Sequence, residues 1–198
     1  MVGQSAGGWV SLGPVATSTP ATSTLNFPVA DIRANGITVK LAADGSLSAV
    51  FIAKAGATTH LVFDVTGYYV NDLTGSKFVP LSPVRRLDTR SNIGLAGKFA
   101  ADIGRTLAIN GSSGVPANAT AMTGNLAVVN QTGVGYLAMT QATTNTPSTA
   151  TLNFPVGDVR ANGVTGPVTV SGTIGLVYVA GGGKTTDVVL DITGYFAP

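Results

Sequence analysis

Few side chains in this sequence could do chemistry. Its 198 residues carry 11 Lys plus Arg, nine acidic residues that are all Asp, one His and no Cys. His60 is the only imidazole, so a Ser-His-Asp hydrolase would have to use it as the base. Further along, the position equivalent to His60 holds Asp187, which rules out a His-dependent chemistry present twice. Without Cys or Glu, zinc lacks its ordinary ligand set. No Asp-rich loop of the calcium-binding kind occurs. Gly181-Gly182-Gly183-Lys184 resembles part of a phosphate loop, but it lies between two strand patterns rather than ahead of a helix. No metal or cofactor is expected.

The remaining polar candidates are carboxylate–guanidinium sets. Asp31 with Arg33, and Asp158 with Arg160, flank a repeated stretch and suit planar two-point pairing. Asp64 and Asp191 stand among apolar residues, where a carboxylate needs a partner. Arg33, Arg160, Arg85 or Arg90 could supply it. Strand alternation places Arg86, Asp88 and Arg90 on one face, with Arg85 on the other. These groups are expected to hold structure; the competing use is a ligand site present twice for the Asp31/Arg33 and Asp158/Arg160 pairs, and an anionic glycan or a partner for Arg85, Asp88 and Arg90. Trp9 and Tyr136 occupy equivalent positions and could stack on sugar, although aromatics in strands more often fill cores.

The elements that must position these residues read as strands. Charged residues make up 10%, against a usual ~25%. With Glu absent and Thr, Val and Gly abundant, the composition favours strands and turns over helices. Period-two alternation and turn signals predict strands over residues 8–14, 22–27, 37–41, 47–53 and 59–69. Asn35-Gly36 and Asp44-Gly45 are read as turns between them. No window carries a helical apolar stripe, and no apolar run approaches the ~20 residues of a membrane helix. Net charge is +2 and basic residues cluster closely only at Arg85, Arg86 and Arg90, so neither nucleic-acid binding nor membrane insertion is expected.

Most of this pattern occurs twice. TSTLNFPVADIRANG at 22–36 returns as TATLNFPVGDVRANG at 149–163, and DVTGYY at 64–69 returns as DITGYF at 191–196. From Trp9 to Tyr69 the copies align without a gap at an offset of 127, as Leu25 with Leu152. The second copy has Ser171-Gly172 where the first has Asp44-Gly45. A spacing of that size is domain-like rather than solenoid-like. Residues 71–198 then form one complete unit, and residues 1–70 form the back half of another. Those residues have to find strand partners somewhere.

The ordered set PLSPVRRLDTR at 80–90, VPANATA at 115–121, GYLAM at 135–139, LNFP, RANG and D-[VI]-TGY-[YF] resembles a repeat of secreted and cell-surface proteins of actinobacteria and related bacteria. The resemblance covers nearly the whole chain. It departs at Arg86, where such repeats usually have Leu, and at Thr123-Gly124-Asn125, where an apolar-Asn run is usual. It implies an extracellular or cell-surface location and a noncatalytic module. The expected fold is all-β: a sandwich or jelly-roll-like unit, tandemly repeated with its first unit incomplete. The expected function is structural or adhesive, with a homo-oligomer or polymer as the partner state. A carbohydrate-binding module that targets an enzyme or a cell to glycan is the alternative.

Overall fold

The computed structural model describes residues 1–198, and every regular element in it is a β-strand. The chain divides into two compact units, Met1–Phe63 and Asp64–Pro198.

The first unit holds one small sheet. Strands β1 (Gly8–Gly13), β2 (Leu25–Phe27) and β3 (Ser48–Ala53) pair antiparallel in the order β2-β1-β3. Trp9 stands opposite Asn26 on one side and Ile52 on the other. The core is small: Met1, Val10 and Phe27, with Leu25 and Phe51 packed on it. The Phe27 and Phe51 rings stack at 5.8 Å. Gly8 is required where β1 and β3 approach, because a Cβ there would run into the Ile52 carbonyl oxygen.

Two of the expected strands of the first copy are missing. Residues 37–41 form no strand, and residues 59–69 make only an isolated bridge, between Val2 and His60. Alternation shows which face a strand would bury, but a strand exists only where a neighbour meets its N–H and C=O groups. The first unit offers these segments no such neighbour.

The second unit is larger. It contains β4 (Lys77–Asp88), β5 (Phe99–Ala100), β6 (Arg105–Ala108), β7 (Ala121–Val129), β8 (Gly135–Thr140), β9 (Leu152–Phe154), β10 (Arg160–Pro167), β11 (Thr173–Ala180) and β12 (Thr185–Ala197). One sheet runs β10-β7-β12-β4, with β5 added to β12; the other runs β6-β11-β8-β9. All strand pairs are antiparallel. Both sheets feed one continuous core that includes Leu87, Met122, Leu126, Leu190 and Ile192 from the first, and Leu107, Leu137, Ile174, Leu176 and Tyr178 from the second. The arrangement is consistent with a β-sandwich. Tyr178 resolves its polar end by donating its hydroxyl to the Gly133 carbonyl at 2.8 Å, and burial pushes that hydroxyl's pKa up.

The expected Asn-Gly turn is also corrected. In the second unit Asn162-Gly163 lies inside β10, opposite Leu126 and Asn125. Asn162 points inward, and its amide donates to the Thr151 carbonyl at 2.7 Å. Asn35 makes the same bond to Thr24 at 2.7 Å. Neither the Asn nor the Gly has positive φ in either copy. The reversal sits earlier, in FPVAD and FPVGD, where Ala30 (φ 60°) and Gly157 (φ 75°) take the left-handed conformation. The Asp44-Gly45 and Ser171-Gly172 turns do form, with Gly45 donating to Ala42 at 3.0 Å and Gly172 to Thr169 at 2.8 Å.

Candidate functional site

The densest set of charges in the second unit lies where β4 meets β12. Asp88 ends β4 and is buried. Arg90 bonds it twice, Nε to Oδ1 at 2.9 Å and Nη2 to Oδ2 at 2.7 Å, and adds its own backbone N–H at 3.1 Å. Arg85 Nη1 reaches the same carboxylate at 2.8 Å, while its Nε and Nη2 hold Asp191 at 2.5 and 3.2 Å. These donors, Arg90 foremost, hold the Asp88 carboxyl well below the usual carboxylate range, against the burial that pushes it up. The same bonds raise the pKa of Arg85, through Asp191 first, and of Arg90, through Asp88 first.

A bulge produces this arrangement and revises the face assignment. Leu190 pairs with Leu87, but Asp191 pairs with Arg85, so Arg86 is the extra residue. The alternation slips by one, and Arg85 joins Asp88 and Arg90 in place of Arg86. Arg86 is left half-buried, its Nε without a partner and its pKa lowered by burial.

Next to this set lies Asp187, which the sequence reading did not count among the ion pairs. Its carboxylate accepts from the Thr89 hydroxyl at 2.9 Å and the Asn130 amide at 3.0 Å, with Lys98 at 3.7 Å. Thr89 in turn accepts from the Val188 N–H at 3.1 Å. Each acidic oxygen of the group thus meets a fixed donor. Such an arrangement locks strands together.

The remaining predicted residues separate into two kinds. Arg33 pairs with Asp31 at 2.7 Å and bonds the Asn26 carbonyl at 3.2 Å; Arg160 pairs with Asp158 at 2.5 Å and bonds the Asn153 carbonyl at 3.2 Å. Each Arg therefore ties the reversal to the strand before it. Asp64, by contrast, is exposed and has neither ion pair nor side-chain hydrogen bond, so the partner expected for it is missing. Trp9 and Tyr136 are half-buried on β1 and β8. A shallow depression of about 410 Å³ in the second unit is lined by residues such as Asn118, Gln141 and Val168, and Tyr136 is not among them.

Two features escaped the sequence reading. Gln4 is buried and donates to the Pro28 carbonyl at 2.9 Å and to Asp31; Gln131 does the same to Pro155 at 2.9 Å and to Asp158. The Gln pair obeys the 127 offset and could have been found from it. The second feature is Gly3-Gln4-Ser5-Ala6-Gly7, which has the Gly-x-Ser-x-Gly spacing of a nucleophile elbow. No helix follows it, and Ser5 Oγ is engaged by the Thr58 backbone, accepting from N–H at 2.8 Å and donating to C=O at 3.3 Å. Thr132 and Thr185 repeat those bonds at 2.8 and 3.3 Å.

No protein-family model and no curated protein matches the chain. No helix is long and apolar enough to cross a membrane.

Proposed function

We propose that the protein is a noncatalytic structural or adhesive module, working outside the cell by associating with other β-units. The observation that carries this reading is the row of apolar side chains left open in the first unit. Leu41, Leu61, Val62 and Phe63 are all exposed, whereas their counterparts Val168, Val188, Val189 and Leu190 are all buried. Backbone that lies outside any sheet and carries exposed apolar side chains is a template for strand pairing with another polypeptide. The charged residues support the same reading, because their bonds fasten strands and reversals. The extracellular placement comes from the ordered motifs alone.

Association is tested by light scattering of purified protein across a wide concentration range. The expected outcome is a mass above monomer that grows with concentration and falls back when Phe63→Asp puts a charge on the open row. A monomer at every concentration removes the self-associating form of this reading.

A further inference from the structure

Building on that reading, we propose that the open row of the first unit takes one kind of partner: a polypeptide segment with the pattern of residues 72–127, the front half of the second unit, which carry β4, β5, β6 and most of β7. In the second unit, β12 lies between β7 and β4, and β7 also carries β10 on its far side. Leu190 meets Leu126 of β7 and Leu87 of β4; Val164 of β10 meets Gly124. Phe63, Leu61 and Ile37 are the first-unit counterparts of Leu190, Val188 and Val164. They have neither neighbour.

The place of insertion is already marked. Met1 and Val2 correspond to Val128 and Val129, the last two residues but for which the first unit has no β7 counterpart. Val2 forms a bridge with His60, as Val129 pairs with Asp187. The Arg33 N–H meets the Met1 carbonyl at 3.4 Å, as Arg160 pairs with Val128. Met1 and Val2 thus join residues 33 and 60, and a β7-like strand ending at Met1 would continue between residues 37–40 and 61–63. Its apolar residues at alternate positions would cover the open row, as Met122, Leu126 and Val128 do in the second unit.

The chain's own β4 and β7 are not free to fill this place. β12 engages β4, and β12 and β10 engage β7. A copy that gave its front half away would open its own second unit. The matching occupant is therefore a front-half segment whose strands are not already paired.

The test adds a polypeptide of residues 72–127 to the full chain and follows amide hydrogen exchange. The expected result is slowing of about 100-fold or more at residues 37–41 and 61–63, no change in β11, and loss of the effect in Phe63→Asp but not in Val170→Asp. A fusion that places residues 72–127 ahead of Met1 keeps the test decisive if the free polypeptide aggregates, because linkage raises its effective concentration. Continued fast exchange at those residues in the fusion overturns the proposal. So does equal protection in the chain alone at high concentration, which would make a second copy the occupant. A chain that stays monomeric yet is protected by the added segment removes self-association and leaves this proposal standing.

Discussion

At the scale of single residues, Asp88 carries the clearest consequence. It is buried and receives three side-chain bonds from two guanidiniums, so removing its charge strands Arg85 and Arg90. Asp88→Asn is expected to cost the second unit about 3 kcal/mol at neutral pH, read by urea unfolding. The sign of the pH effect follows from the lowered pKa. The unfolded carboxyl titrates near ~3.9, so the native state gains its full stabilisation above that value and loses it as pH falls below. The gap between native protein and Asp88→Asn should therefore narrow as pH falls from ~5 through ~3. A gap that stays constant over that range would show that Asp88 does not act through its charge. A second residue-scale prediction concerns the reversal. Ala30 has a φ of 60°, where its counterpart is Gly157. An L-residue with a Cβ is strained there, so Ala30→Gly should stabilise the first unit by about 0.5–1 kcal/mol, and Gly157→Ala should destabilise the second by a similar amount.

At the scale of elements, Phe63 and Leu190 are equivalent in sequence and opposite in environment. Phe63 is 47% exposed and Leu190 is 0% exposed. Leu190→Asp buries an unpaired charge in the sandwich core and should abolish the folded second unit. Phe63→Asp should leave the first unit's sheet intact, within about 0.5 kcal/mol, as read by amide protection of β1 and β3. Loss of β1 protection in Phe63→Asp would show that residues 59–63 already pack as core. The same contrast explains what could be read from the sequence. Alternation located β1, β2, β3 and their later counterparts, because each has a neighbour within its own unit. It gave residues 59–69 the same strand status as β12, since a sequence pattern does not record whether a neighbour is present. The Arg85–Asp88–Arg90 grouping was visible as composition, but the bulge at Arg86 was not, since register depends on the facing strand. Asn-Gly suggested a turn from local φ preference. The hydrogen bond from Asn162 to Thr151 and pairing with β7 outweighed it.

At the scale of the whole molecule, the two units differ greatly in what they bury. The second unit's core draws on both sheets, whereas the first rests on Met1, Val10 and Phe27 with two half-buried neighbours. A core that small sits near the lower limit for independent stability. Unfolding should therefore take two steps, the first unit opening at lower denaturant and with a shallower slope because it exposes less surface. The sequence provides a local reporter: Trp9 is the only Trp and lies on β1. Its fluorescence should follow the early step, while the loss of far-ultraviolet β-signal should be dominated by the late one. Adding residues 72–127 in front of Met1 should move the Trp9 transition to higher denaturant and leave the late step in place, because the new strands would cover the open row in the first unit only. Coincident transitions in fluorescence and β-signal for the unmodified chain would mean that the units unfold as one, and that residues 1–63 draw their stability from more than their own sheet.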